Sequence, residues 1–116
     1  VPGRSSARIE RFCNYIYDQW KVQQPDINCS YLTMTVQIVC ASTGKLALRK
    51  EILQSVAEEY QVTVAAVDSA LRRLLETLDE TSTQTWRDFR KEYGLERRKV
   101  TIGRLLYALE SKLSQQ

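Results

Sequence analysis

Asp68, Ser69, Arg72 and Arg73 stand within six residues of one another, and these side-chain types can read base edges or hold phosphates. On a helix, Ala65, Asp68, Ser69, Arg72 and Glu76 share one face, with Arg73 one step round. An arginine in that place can donate two hydrogen bonds to the O6/N7 edge of a guanine, a contact worth about 1–3 kcal/mol of discrimination. Asp68, Ser69 and Arg72 are therefore the expected base contacts, and Arg73 is an expected phosphate clamp. The competing reading makes Arg72 an ordinary surface residue paired with Asp68 or Glu76 four positions away, worth about 0.3–0.5 kcal/mol.

Such a face needs a helix held from behind. Leu48, Ile52, Leu53, Val56, Ala57 and Tyr60 mark one amphipathic helix, and Val67, Ala70, Leu71, Leu74, Leu75 and Leu78 mark a second. Gln61-Val62-Thr63 separates them, with Thr63 placed to cap the second. Two short helices joined by three residues form a helix-turn-helix pattern, a unit that lays its second helix, here about 64–78, in a DNA major groove. Lys50, early in the first helix, and Thr63, at the turn, are further candidate phosphate contacts. Between Trp86 and Arg104 seven basic residues face three acidic ones, a local +4 in a chain of net charge +3. Arg97, Arg98 and Lys99 are the dense part of that segment and read as a wing-like phosphate contact, or as a plain solvated loop.

Enzymatic chemistry is not expected. The chain has no histidine, which removes the usual general base and the Ser-His and Cys-His dyads. Its glycines are isolated, and the acid pairs Glu58-Glu59 and Asp79-Glu80 are sequence neighbours that a helix points apart. Cys13, Cys29 and Cys40 form no Cys-x-x-Cys pair, so neither a disulfide framework nor a metal site is expected, and no cofactor. Cys13 and Cys40 read as buried free thiols in a reducing, cytoplasmic setting. No apolar run is long enough to span a membrane and no signal peptide is visible.

The chain opens Val-Pro-Gly-Arg without a methionine, which reads as a processed product or an excised domain. Residues 1–5 are set aside as linker or added residues, leaving 6–116 as a single all-α domain of six compact helices. Helix one is expected from about Ser6 to Trp20. Helix two, from about Tyr31 to Ala41 with Ser30 as its cap, is apolar on nearly all sides and should be central. After the two motif helices comes a polar break, 79–83. A short helix from Thr85 to Tyr93 follows, with Trp86, Phe89 and Tyr93 inward as core rather than as stacking platforms. A last helix, capped by Thr101, carries Ile102, Leu105, Leu106, Leu109 and Leu113.

Four local patterns, in this order, resemble the C-terminal DNA-binding effector domain of the stage-zero sporulation response regulator family. They are Tyr31-Leu32 with Val36 to Val39, Lys50 to Leu53 leading to Val56 to Tyr60, Val62 to Arg72, and Val100 to Leu113. The resemblance covers about Tyr31 to Leu113. It implies a bacterial transcription regulator's effector domain, helical and related to winged-helix folds, that reads double-stranded DNA with the helix beginning near Val64. It also implies an upstream receiver domain, head-to-tail pairing on tandem sites through the last helix, and RNA polymerase as a further partner. Asp68 stands where the family has Glu, Arg72 on a family Arg, Arg73 on a His, and Ser69 where the family has a base-reading Arg. Loss of that arginine removes a long bidentate donor, so the family's operator does not carry over. It also favours the alternative function, a protein-interaction module that keeps the scaffold without reading DNA.

Overall fold

Three threonines set the starts of three helices. Thr63 Oγ1 accepts from the Ala66 N–H at 3.0 Å, Thr83 Oγ1 from Trp86 at 3.2 Å and Thr101 Oγ1 from Arg104 at 3.3 Å. Each satisfies a first-turn donor that has no intrahelical partner. The computed structural model describes residues 6–22, 26–41, 48–97 and 99–115, the side chains of Ser6 and 48–50 excepted. It is all-helical over that span, with α1 (Ser6–Gln19), α2 (Ile27–Ala41), a π-wound segment (Leu48–Leu53) continuing into α3 (Gln54–Tyr60), α4 (Val64–Thr81), α5 (Gln84–Glu92) and α6 (Ile102–Ser114). The whole measures 33 × 32 × 27 Å.

Helix ends follow local hydrogen bonding that residue type hides. α1, α3 and α5 each close with paired 6→1 and 5→2 backbone bonds. These are Val22 N–H to Tyr17 O with Lys21 to Asp18, Val62 to Ala57 with Gln61 to Glu58, and Leu95 to Arg90 with Gly94 to Lys91. The left-handed residue at the three ends is Lys21 (φ 63°), Gln61 (φ 56°) and Gly94 (φ 68°). Only the last is a glycine, the residue that adopts this conformation without a Cβ penalty.

Two expected boundaries move. α2 begins one turn before Tyr31, because Asp26 Oδ1 accepts the Asn28 N–H at 2.9 Å and Ser30 is already inside the helix, donating to Asp26 O. The supposed break at 79–83 is helical as far as Thr81, and the chain turns at left-handed Ser82. The first motif helix is a π-wound stretch followed by α3 rather than one uniform helix.

α2 is central, touching α1, α3, α4, α6 and the π-wound segment. Its middle is buried at Cys29, Tyr31, Leu32, Thr33, Thr35 and Val36, while Met34, Ile38, Val39 and Cys40 are partly buried against the core and Ile27 and Ser30 are exposed. Cys40 is thus half-buried instead of sealed, and Cys29 is sealed in its place. α5 closes the far side: Trp86 and Phe89 meet Trp20 edge-on, with ring centroids at 4.8 and 5.1 Å.

Between α1 and α2, Tyr17 Oη shares a 2.9 Å hydrogen bond with Thr33 Oγ1 and donates to Cys29 O at 3.2 Å. Burial beside this network pushes the Cys13 thiol from 9.0 up to about 12 and raises Tyr17 as well. At neutral pH both groups hold their protons, folded or unfolded. As pH rises through the ordinary thiol and phenol ranges, the unfolded chain releases protons that the folded chain keeps, so stability falls. The urea midpoint is expected to decline between about pH 8 and pH 11, and Cys13→Ala should flatten the early part of that decline. A Cys13→Ala profile identical to the wild type would place the titration elsewhere.

Candidate nucleic-acid interface

α4 owes its position to one stripe. Val67, Ala70, Leu71, Leu74, Leu75 and Leu78 are buried, and they leave Ala65, Ala66, Ser69, Arg72, Arg73 and Glu76 exposed on the other side. The same helix therefore anchors the core and presents a polar face. At 1.5 Å per residue its 18 residues span about 27 Å, and a helix of this width enters a B-DNA major groove.

Arg72 and Asp68 meet across one turn. Arg72 Nε donates to Asp68 Oδ2 at 2.9 Å. The arginine side chain is 68% exposed and the carboxylate only 18%, so the acid is recessed and the guanidinium stands out. Of the two acidic neighbours foreseen for Arg72, the structure places Asp68 against it. Asp68 thus belongs to the flank of the face rather than its crest.

The chain between α5 and α6 comes back beside α4. Leu95 and Val100 are buried and pin this loop at both ends, and Arg90 Nη2 donates to Leu95 O at 3.1 Å. Lys99, Val100, Thr101, Ile102 and Gly103 then form one wall of a groove of about 330 Å³ whose other wall is Asp68, Arg72, Leu75 and Glu76. Lys99 and Arg72 are brought to the same groove from positions distant in sequence. Arg97 is exposed on the same loop. Arg98 and the side chain of Lys50 fall outside the described residues.

The basic segment is not uniform. Arg90 reaches Asp79 through Nη1 at 3.5 Å as well as Leu95 O, and is only 22% exposed, so it is a structural tie between α5, α4 and the loop. Thr63 Oγ1 accepts from Ala66 and keeps its own O–H available to donate. Ser69 is exposed one turn from Arg73.

Sequence spacing gave no sign of the groove wall contributed by 99–103, since only tertiary folding brings it against α4. The same holds for a second cavity of about 470 Å³ between α1, α2 and the end of α3. Glu10, Asn14, Gln37, Glu59 and Tyr60 line it, with no basic side chain. Tyr60, expected on the buried stripe, lies at this rim and rests edge-on against Tyr31 at 5.0 Å. Among the described residues no three Cys, Asp or Glu side chains assemble as metal ligands, and no helix is long and apolar enough to cross a membrane. No protein-family model, curated protein or solved structure matches the chain.

Proposed function

We propose that this chain binds double-stranded DNA by laying α4 in the major groove, as the effector domain of a bacterial transcription regulator. The observation that carries the reading is the pairing of an exposed Ser69–Arg72–Arg73 face with Lys99 on the adjoining loop. Arg72, with Ser69 beside it, meets base edges, and Asp68 holds its Nε from the flank. Arg73, Arg97, Arg98 and Lys99 meet phosphates on either side, joined by Lys50 and the Thr63 hydroxyl. Two copies on tandem sites, contact with RNA polymerase and a cytoplasmic setting complete the proposal.

Affinity for a mixed-sequence duplex, followed by anisotropy across a salt series, tests it. Five phosphate-bound cations give a log–log slope of about −4.5, and replacing Arg97 and Lys99 by alanine should make it shallower by about 1.8. Absence of binding at low salt would end the duplex reading.

A second reading rests on Asp68 and Glu76, two carboxylates on the wall that faces Lys99. Acids near the backbone oppose phosphate docking and would suit a protein partner with basic residues. Binding to duplex that ignores salt, or no duplex binding at all, favours it.

A further inference from the structure

We infer that Asp68 is a positioning residue that makes Arg72 select guanine, an inference that rests on the duplex-binding reading above. A guanidinium carries N–H donors on Nε, Nη1 and Nη2. Here the Nε donor is occupied by Asp68 Oδ2 at 2.9 Å, which fixes the plane of the group and leaves the Nη1/Nη2 edge as its recognition end. That edge offers two parallel donors. Guanine presents two acceptors in the major groove, O6 and N7, whereas adenine presents one acceptor beside an amino donor that opposes an N–H. Thymine offers a single carbonyl acceptor beside its methyl group, and cytosine an amino donor.

The exposure difference sets the division of labour. Arg72 is 68% exposed and can reach a base, while Asp68 at 18% stays behind it. A free arginine on a helix surface samples many rotamers and loses them on binding; one already held at Nε loses fewer. Asp68 also brings a negative charge toward the duplex, which lowers affinity for every sequence alike. The residue therefore trades general affinity for discrimination, and with a short serine at position 69, Arg72 is the long donor between Asp68 and Arg73 on this face.

Selection from a randomised duplex pool, followed by affinities for a selected site and its guanine-to-adenine variant, tests this in five proteins. They are the wild type, Asp68→Ala, Asp68→Glu and the Asp68→Ala/Arg72→Ala double variant, with Arg72→Ala as reference and thermal melting to establish folding. The wild type should enrich guanine at one position. Asp68→Ala should lose roughly 3- to 10-fold of that preference, the scale of ordering one flexible side chain, while binding unselected duplex at least as tightly as wild type. Asp68→Glu, which restores a carboxylate four residues from Arg72, should recover the preference. The double variant should show no guanine preference beyond that of Arg72→Ala. If Asp68→Ala keeps the full preference, the positioning role is overturned and duplex reading by α4 stands. If wild type binds in a salt-sensitive manner but enriches no base, the guanine assignment falls while duplex binding survives. If wild type does not bind duplex, both fall together.

Discussion

Replacing Trp86 by alanine is expected to lower the unfolding free energy by about 3–5 kcal/mol, the range for removing a large buried aromatic. Trp86 is 1% exposed. It meets Trp20 edge-on and stacks near-parallel on Phe89, with ring centroids at 5.9 Å and 15° between the planes. Its indole N–H donates to Asp79 Oδ1 at 3.0 Å, tying α5 to the last turn of α4. Alanine opens a cavity between α1 and α5 and removes that donor, although Asp79 keeps Arg90 nearby. Trp86→Phe separates the two losses, because it keeps a ring and deletes the hydrogen bond, at a cost of about 1 kcal/mol for the bond. Urea unfolding followed by helical circular dichroism gives both numbers. An alanine variant within about 1 kcal/mol of wild type would mean that this junction is not part of the cooperative core.

Arg72→Ala carries the second large effect, and it falls on recognition rather than on stability. The Arg72–Asp68 pair is solvent-facing on its arginine side, and pairs of this spacing contribute about 0.3–0.5 kcal/mol. Melting should therefore barely change. Discrimination between a selected duplex and a scrambled one should fall by about 1–3 kcal/mol, or about 5- to 150-fold. Affinity for unselected duplex should drop only as far as one lost cation implies. Equal weakening on all sequences would move Arg72 to the phosphates and leave base reading to other residues.

Much of this was legible because periodicity is a strong signal in long amphipathic segments. The buried stripe of α4, the threonine caps at 63 and 101 and the inward Trp86 and Phe89 all follow from spacing and hydroxyl chemistry. Other features had no local mark. Lys21 and Gln61 occupy left-handed helix ends where glycine is the usual sign, and Asp26 displaces Ser30 as the residue that starts α2. The winding change at Leu48–Leu53 keeps Ile52 and Leu53 buried, so the apolar pattern looks the same for either winding. At the site, the four-residue interval between Asp68 and Arg72 was visible, yet Glu76 stands at the same interval on the other side. Which acid meets the guanidinium depends on rotamers that spacing does not set. The approach of Lys99 to Arg72 depends on how α6 folds back, which no local rule contains.

Both tryptophans of the chain sit in a single junction, Trp20 against Trp86 at 4.8 Å and 76°. Red-edge excitation therefore reads one place in the molecule, and the coupled indoles should give a signed near-ultraviolet dichroism feature that vanishes when α1 leaves α5. Neither indole is on the outward face of α4. Ligand titrations and unfolding can accordingly be followed in one cuvette, an end-labelled duplex reporting occupancy and the intrinsic emission reporting only whether the first and fifth helices remain together.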